Sequence, residues 1–388
     1  MKRVTYLAAT LSPLLLAASC GSGYSTGADG SEATSTPAPV EPTETAFAIT
    51  EHGQYNEPWA SAFVPGTDVI VITEKAGSIK AMDTRTGNAI FVSGAPEVDY
   101  GGQGGLGDIA FLPSEASSTL ERRTIYLSWA EAGEGDTRGA VVGRGQMVCE
   151  DHQSCDIQDL EVIWRQAPKV AGRGHYSHRL AFSPDEQYLY VASGDRQKQD
   201  PAQDTSNTLG TIVRLNLDGS AAANNPVGEE IWSYGHRNIL GMDFDAEGRL
   251  WEVEHGPAGG DELNLVKRGA NYGWPLRSYG DNYNGDPIPD HTPDDGFAKP
   301  ALAWTPVIAP GNMVFYRGDL LDGWKGNAVI SGLKTKALIR VAVDGEEARE
   351  IGRYSFDNRI RSVIEGPDGA LWVLEDGEGG RLLELRPE

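Results

Sequence analysis

The sequence predicts an all-β protein: a six-bladed β-propeller of four-stranded antiparallel sheets, spanning residues 47–388. The composition is the first reason, because 48 glycines and 9 tryptophans among 388 residues are typical of turn-rich β structure. The second reason is a repeat. An apolar strand, a polar turn and a β-branched or aromatic strand recur in this order six times. No stretch has sustained helical periodicity.

The six copies of this pattern follow one another along the whole predicted domain. They are WASAFVPGTDVIVITE near Phe63, GDIAFLPSEASSTLERRTIYLSW near Phe111, HRLAFSPDEQYLYVASGD near Phe182, GMDFDAEGRLWEVEHG near Phe244, NMVFYRGDLLDGWKGNAVISGL near Phe315 and RSVIEGPDGALWVLEDGEGG near Glu365. The copies are about 48 to 71 residues apart, whereas a blade needs about 40 to 50 residues, so the longer intervals contain inserted loops. A sandwich could also contain a two-stranded repeat, but six copies favour radial closure.

The N-terminal segment is typical of an exported protein. Residues 1–19 have a basic start, an apolar run and small residues before Cys20, which indicates a signal peptide and a bacterial lipoprotein cleavage box. Ala17 departs from that box, which usually has leucine there. Residues 20–46 are rich in Ser, Thr, Gly, Pro and Glu, so they are predicted to form a flexible tether. The expected location is the periplasm, with a lipid on Cys20 attaching the protein to the membrane.

The net charge of −23 excludes nucleic acid as an expected partner, because an acidic chain repels phosphate backbones. The charge is explained either by solubility or by an acidic face that collects calcium. Cys149 and Cys155 lie in an expected hairpin and could form a small disulfide loop in an oxidising compartment. Zinc, with His152 between the two cysteines, is the alternative, but no second ligand pair has matching spacing.

Two glycine-containing loops are the first candidates for a site, because propellers carry function on loops at the channel mouth. In DYGGQGGLGDIAF, four glycines flank Gln103, so the backbone can approach a ligand closely, although a tight turn explains the glycines equally well. In GRGHYSHRLAFSPD, His175 precedes a strand and is a candidate general base. A lone histidine is more often structural, and His178 is assigned that role.

The densest run of candidate residues follows in WSYGHRNILGMDFDAEGRLWEVEHGPAGGDELNLVKRGANYGWP. Arg237 and Asn238 can hydrogen-bond the oxygens of a planar ligand. Main-chain carbonyls of Gly256 and Pro257 are suitable ligands for a hard cation such as calcium. Oxygen atoms of three nearby residues could complete such a site: Asp261, Glu262 and Tyr272. An acidic turn without metal is the alternative.

A cationic set near the C-terminus completes the candidates. It consists of Lys334 in ISGLKTKALIR and of Arg359 and Arg361 in NRIRSV. The two arginines alternate along a predicted strand, so both should project from one face. Three cations in so acidic a chain suit an anionic ligand with several carboxylates. Ordinary surface ion pairs are the alternative for each of them.

Taken in order, these motifs resemble a known family. GGQGGLGDIAF, GHYSHRLAFSPD, YGHRN, EHGPAGGDELN with NYGWP, IAPGNMVFY, GLKTKALIR and NRIRSVIEGPDGALWVL together resemble the soluble dehydrogenases of aldose sugars that depend on pyrroloquinoline quinone (PQQ). These enzymes are relatives of soluble quinoprotein glucose dehydrogenase. The resemblance covers about residues 50–386.

The resemblance implies an activity and its cofactors. An aldose would be oxidised at the anomeric carbon to its lactone, with PQQ and Ca²⁺ as cofactors. His175 matches the general base that takes the proton of the anomeric hydroxyl, while the hydride goes to the C5 carbonyl of PQQ. Arg237 matches the residue that polarises this carbonyl, and Asn238 matches a PQQ contact. Electrons would pass on to an external quinone or cytochrome, and the protein is expected to be a monomer.

The resemblance also implies a set of ligand contacts. Gly256 and Pro257 match the carbonyl ligands of the catalytic calcium, and Glu262 and Tyr272 match ligands of a second, structural calcium. Positions that match residues lining PQQ are Gln103, Tyr283, Lys334, Arg359 and Arg361. In one respect the chain departs from the family, because Gly174 occupies the position where the glucose enzyme has an aspartate before its base. The resemblance therefore does not imply specificity for glucose.

Two other functions remain open from the sequence. Some six-bladed propellers use calcium to hydrolyse lactones, and others bind partners without catalysis. The cations Lys334, Arg359 and Arg361 have no evident use in a lactonase. A binding propeller does not require His175 and Arg237 together.

Overall fold

The computed structural model of this chain describes residues 47–150 and 153–388. Within these ranges the chain forms 26 β-strands and two short 3-10 helices, so the predicted all-β class is confirmed. The predicted signal peptide (1–19) and tether (20–46) lie outside the described residues, and so does His152. The described part of the chain contains no helix that is long and apolar enough to cross a membrane.

The strands form six consecutive groups of four. The first group is β2 (Pro58–Phe63), β3 (Val69–Glu74), β4 (Ser78–Asp83) and β5 (Ala89–Ser93), and the second is β6 (Leu106–Phe111), β7 (Arg122–Ala132), β8 (Arg138–Cys149) and β9 (Ser154–Arg165). The third is β10 (Ser177–Phe182), β11 (Tyr188–Ser193), β12 (Thr211–Asn216) and β13 (Ile231–Tyr234). The fourth is β14 (Ile239–Phe244), β15 (Leu250–Glu254), β17 (Asp261–Leu265) and β19 (Leu302–Trp304), with the small pair β16 (Ala258–Gly259) and β18 (Gly280–Asp281) beside it.

The last two groups complete the set. The fifth is β20 (Pro310–Phe315), β21 (Ala328–Gly332), β22 (Ala337–Asp344) and β23 (Glu347–Ser355). The sixth is β24 (Ile360–Glu365), β25 (Leu371–Glu375), β26 (Glu378–Pro387) and the N-terminal strand β1 (Phe47–Asn56). The 3-10 helices are Pro113–Glu115 and Asp200–Gln203.

The first strands of the six groups contact one another in a closed cycle. β2 contacts β6, β6 contacts β10, β10 contacts β14, β14 contacts β20, β20 contacts β24, and β24 contacts β2. The landmarks of the sequence repeat are the last residues of these six strands: Phe63, Phe111, Phe182, Phe244, Phe315 and Glu365. Each copy of the repeat therefore begins one four-stranded group.

Pairing between the two ends of the described chain completes the sixth group. β1 pairs antiparallel with β26, with Phe47 opposite Pro387. The first two groups are also joined, because β5 pairs in parallel with β9. Strand edges that would otherwise be exposed are therefore paired in both cases.

The hydrophobic core consists of side chains that pack between consecutive groups. Trp251 of the fourth group, for example, is fully buried against Phe315 of the fifth, with ring centroids 6.2 Å apart. Similar clusters fill the other junctions, including the one where the sixth group, with Trp372, meets Ile70 and Ile72 of the first. Removing a buried aromatic ring of this kind costs about 3–5 kcal/mol, so packing at the junctions contributes strongly to stability.

A disulfide closes the β8–β9 hairpin. Cys149 and Cys155 are opposite each other in the two strands and are bonded through their sulfur atoms. The expected disulfide loop is therefore present, and neither sulfur is available as a zinc ligand.

Candidate active site

His175 lies in the loop that leads into β10, where its backbone and its ring are both fixed. Its N–H donates a hydrogen bond of 2.7 Å to Gln103 Oε1, and its ring Nδ1 is 2.7 Å from Asp195 Oδ1. The φ angle of His175 is 49°, a left-handed conformation that is uncommon for a residue with a side chain. Such conformations persist where the surroundings impose them, and they are frequent at functional sites.

Asp195 follows β11 and is completely buried beneath His175. Its Oδ2 accepts a hydrogen bond of 2.8 Å from Trp274 Nε1, and its Oδ1 also accepts one of 2.8 Å from Gln197 N. Burial opposes ionisation of Asp195, but hydrogen bonds from His175 and Trp274 outweigh it and hold the pKa of this carboxyl below its usual value. An ionised Asp195 accepts the Nδ1 proton of His175, so the lone pair of Nε2 is left free.

The same surroundings determine the charge of His175. Burial is the largest effect and lowers the pKa of the imidazole, while the hydrogen bond to Asp195 offsets this only in part. The ring is therefore neutral at pH 7, which is the form that accepts a proton.

Arg237 lies beside this pair and is also held by several contacts. Its backbone N–H donates a hydrogen bond of 2.6 Å to Glu254 Oε2, and its Nη1 donates one of 3.0 Å to the carbonyl of His255. Its guanidinium carbon is 5.2 Å from the ring centroid of Trp274, the residue that also bonds Asp195. A single tryptophan therefore contacts both the carboxylate behind His175 and the guanidinium of Arg237.

A cavity of about 170 Å³ is adjacent to the His175 loop and has a cationic wall. Lys75, Arg359 and Arg361 are its charged lining residues. The uncharged part of the lining includes Trp59, Gln103, Tyr176, His178, Asn238 and His255. Burial is the main reason why the pKa of His255 falls to about 3, and the charges of Arg237, His175 and Arg361 also lower it, so these groups surround His255.

The cations of this wall are only partly neutralised. Arg359 Nε donates to Oδ2 of Asp376 and Arg361 Nε to Oδ1, each over 2.8 Å. Lys75 is paired with Glu57 over 3.0 Å. Arg359 precedes β24 by one residue, but the shared carboxylate shows that the two arginine side chains project in the same direction, as predicted. One carboxylate between two arginines leaves the wall with excess positive charge.

Two of the predicted contacts lie away from this wall. Lys334 is exposed and forms no ion pair with any residue in 47–150 or 153–388, while its neighbour Leu333 lines the cavity. Tyr283 is 76 % exposed, and its hydroxyl accepts a hydrogen bond of 3.2 Å from Arg237 Nη2. Neither residue lines the cavity, and both side chains are exposed to solvent.

Three of the four predicted metal-binding residues line a second, much smaller pocket. This pocket has a volume of about 10 Å³, and its lining includes Gly256, Glu262 and Tyr272, with Pro257 next in sequence. Within the described ranges, no hydrogen bond reaches the carbonyl oxygens of Gly256 or Pro257. Gly256 is required here, because a Cβ would be 2.1 Å from the carbonyl oxygen of Gly259. Tyr272 donates its hydroxyl to the carbonyl of Leu265 over 2.5 Å, so only its main-chain oxygen is free for a cation.

Asp261 differs from the other acidic residues of this region. Its two oxygens accept hydrogen bonds from the backbone of Gly256 (2.8 Å) and Ala309 (2.6 Å), so it fixes the loop and is not a free ligand. Burial raises the pKa of Asp261 to about 7. Burial, with the charge of Glu254, also raises the pKa of Glu262 well above its usual value.

Five residues of the site were not identified from the sequence. They are Asp195, Glu254, His255, Trp274 and Asp376, each of which contacts a predicted residue. The only signal for Asp195 is its place in the loop after β11, in SGDRQ, where a charged residue follows a glycine as in the other site loops.

Comparisons with known proteins identify relatives of this chain. Residues 55–384 match the family model described as "Glucose / Sorbosone dehydrogenase". The chain is 37% identical over 343 residues to aldose sugar dehydrogenase YliI of Escherichia coli K12, covering 86% of this chain and 90% of the relative. The crystal structure of the soluble aldose sugar dehydrogenase from Escherichia coli in the apo-form is similar, with a TM-score of 0.81, 36% identity and coverage of 88% and 100%.

A further solved structure contains the cofactor. The PQQ-bound form of aldose sugar dehydrogenase from Streptomyces coelicolor is similar with a TM-score of 0.70, 26% identity and coverage of 88% of this chain and 98% of that one. The chain therefore belongs to the glucose/sorbosone dehydrogenase family, which includes the soluble PQQ-dependent aldose sugar dehydrogenases, and it is an oxidoreductase.

Proposed function

We propose that this protein oxidises aldose sugars at the anomeric carbon to lactones, with PQQ and Ca²⁺ as cofactors and His175 as general base. The observation that carries this proposal is the pairing of His175 with buried Asp195 beside a cavity with a cationic wall. We also interpret the six strand groups as the blades of a six-bladed β-propeller. The closed cycle of contacts between their first strands supports this interpretation.

The cavity residues fit an anionic planar cofactor. Arg359 and Arg361 supply more positive charge than Asp376 removes, and Gln103 and Asn238 offer amide groups next to them. Arg237, Lys334 and Tyr283 do not line the cavity, and they would contact the part of PQQ that extends out of it. When bound, PQQ supplies the acceptor for the hydride of the anomeric carbon.

The oxygen atoms beside the small pocket suit calcium ions. The carbonyl oxygens of Gly256 and Pro257 have no hydrogen bond from any residue in the described ranges, and hard cations bind such oxygens. Glu262 and the main-chain oxygen of Tyr272 would bind the second, structural ion. Calcium in the first position would act as a Lewis acid.

Each side chain of the proposed site would then have a separate role in the reaction. Nε2 of His175 accepts the proton of the anomeric hydroxyl, and Asp195 holds the ring in the tautomer that leaves this nitrogen free. The charge that forms on the imidazole is stabilised by Asp195. Arg237 holds its guanidinium towards Tyr283 and the carbonyl of His255, where it can stabilise developing negative charge on the ligand.

The proposal extends to the setting of the enzyme. We infer export to the periplasm, a lipid on Cys20, a monomeric catalytic domain formed by residues 47–388, and transfer of the electrons to an external quinone or cytochrome. The lipoprotein-like segment before Cys20 and the tether composition of residues 20–46 support the first two inferences. Mass spectrometry of the mature protein tests the lipid.

Reconstitution tests the function and separates it from the two alternatives. The full chain is loaded with PQQ and Ca²⁺, and sugar-dependent dye reduction is measured with several aldoses. The proposal predicts dye reduction that needs both cofactors and an aldose. Lactone hydrolysis without PQQ would support a lactonase, and the absence of both activities would support a binding protein.

A further inference from the structure

Three buried carboxylates project from one face of the β15–β17 hairpin, behind the calcium pocket. Glu252 and Glu254 alternate on β15, and Glu262 and Asn264 alternate on β17. The register places Glu252 opposite Asn264 and Glu254 opposite Glu262, so the four side chains share a face. His236 lies against this group and is completely buried.

The hydrogen bonding of His236 leaves one ring nitrogen facing the carboxylates. Its Nε2 is 2.9 Å from Ser233 Oγ, while its Nδ1 is 3.5 Å from Glu252 Oε1 and 3.7 Å from Glu254 Oε1. Nδ1 and one oxygen of each glutamate therefore face one another inside the protein. Their arrangement is that of three ligand atoms around a cation.

The cluster also contains polar atoms that have no partner. Within the described ranges, His236 Nδ1, Glu252 Oε2 and Asn264 Oδ1 are buried and have no hydrogen-bond partner. No lysine or arginine in those ranges forms an ion pair with Glu252, Glu254 or Glu262. Glu262 is also a proposed ligand of the structural calcium, which leaves Glu252 and Glu254 facing His236. Buried charges of this kind are normally paired or bound to a metal ion.

We propose that His236, Glu252 and Glu254 bind a divalent transition metal ion such as Mn²⁺ or Zn²⁺. One ligand atom from each residue lies within 4.8 Å of the others, and all three residues are buried. An imidazole nitrogen combined with carboxylates suits Mn²⁺ or Zn²⁺, whereas calcium takes oxygen ligands. None of the three residues is among the calcium ligands proposed above, although Glu254 also lines the small pocket and lies opposite Glu262. The proposed metal site does not depend on the oxidation of a sugar.

The metal would also fix part of the active site. Oε2 of Glu254 accepts hydrogen bonds from the backbone N–H groups of Arg237 (2.6 Å) and Asn238 (3.2 Å). The other oxygen of Glu254 faces His236. An ion bound there would therefore hold the carboxylate that positions Arg237 and Asn238, and its role would be structural.

Metal analysis of the wild-type chain tests this proposal directly. The full chain is incubated with Ca²⁺ and either Mn²⁺ or Zn²⁺, dialysed and measured by elemental mass spectrometry, and crystals are examined at the absorption edge of the metal. We expect one tightly bound Mn²⁺ or Zn²⁺ per chain, with an anomalous peak between His236 Nδ1 and the two glutamates. An empty cluster, or calcium at that position, would overturn the proposal.

Variants give a second test that does not use activity. Glu252→Gln should lower the affinity for Mn²⁺ or Zn²⁺ at least tenfold, while the calcium content remains unchanged. Glu375→Gln is the matched control, because Glu375 is another buried carboxylate that is paired with Arg381. It should keep the full content of the transition metal, and equal loss in both variants would contradict the assignment. The wild-type measurement remains decisive if Glu252→Gln does not fold.

Discussion

Nδ1 of His175 lies 2.7 Å from Oδ1 of Asp195, a carboxylate with no exposed surface. The two residues come from different loops of the third strand group, one before β10 and one after β11. Because Trp274 and Gln197 also donate to this carboxylate, its position is determined independently of His175. We infer that Asp195 is the positioning residue of the proposed base.

Replacing Asp195 by asparagine tests this role. The amide NH₂ of the new side chain would donate to Nδ1 of His175, so the proton of the ring would move to Nε2, where a base needs a lone pair. We expect Asp195→Asn to lower the turnover number about a hundredfold or more, with little change in the affinity for PQQ. Steady-state kinetics and PQQ titration measure the two quantities. Asp185→Asn, in an exposed turn, is the control and should behave as wild type.

The pH dependence follows from the direction of the pKa shift of His175. The neutral ring is the active form, and burial lowers its pKa below the ordinary 6.5. Activity should therefore persist at lower pH than for an exposed histidine and should decline only below pH 6.5. The hydrogen bond from Asp195 raises this pKa, so Asp195→Asn should move the decline to still lower pH. A profile of kcat/KM against pH measures both, and a midpoint above 6.5 would contradict this interpretation.

The affinity for PQQ should depend on the charge of the cavity wall. Loss of positive charge should weaken binding, and loss of negative charge should strengthen it. Arg359→Ala combined with Arg361→Ala should weaken PQQ binding at least about tenfold, because charge-assisted hydrogen bonds are lost. Asp376→Asn should strengthen it, because the carboxylate that neutralises both arginines is removed. Titration of the apoprotein with PQQ, followed by absorption, measures the dissociation constants. Arg386→Ala is the control, since Arg386 is paired with Asp368 and Glu384 away from the cavity.

Removal of calcium should abolish sugar oxidation. Dialysis against a chelator empties the proposed carbonyl site at Gly256 and Pro257, so dye reduction should fall to background. Ca²⁺ should restore it, whereas Mg²⁺ should do so poorly, because it requires a smaller octahedral site and retains its water. Dye reduction that survives chelation, in protein shown to be free of calcium, would exclude the ion from the reaction.

Much of the fold could be predicted from the sequence, because the repeat reflects pairing between strands that are close together in the chain. Phe63, Phe111 and Phe182 each end a strand that forms a hairpin with the next one, so a short stretch contains the whole pattern. Pairing of β1 with β26 and the parallel contact of β5 with β9 join distant parts of the chain, and no local pattern indicates them.

In the candidate site, too, some residues could be predicted from the sequence and others could not. His175 and Arg237 were identified because glycines and charges interrupt the strand pattern around them. Asp195 and Asp376 were not, because acidic residues in turns are common in a chain with 56 of them, and only the folded structure places these two against His175 and the arginines. The proposed metal site at His236 could not be predicted for a different reason, because Glu252 and Glu254 lie in a strand whose apolar neighbours dominate its pattern.

His175 is proposed to take the proton when an aldose reduces the bound cofactor. The most direct measurement is the absorption spectrum of the chain loaded with PQQ and Ca²⁺, recorded in a stopped-flow instrument after an aldose is added. We expect rapid reduction of PQQ in the wild type and, in His175→Ala, the same PQQ content with a rate at least about a hundredfold lower. An equal rate in the two proteins, or no spectral change in the wild type with any aldose, would contradict the assignment.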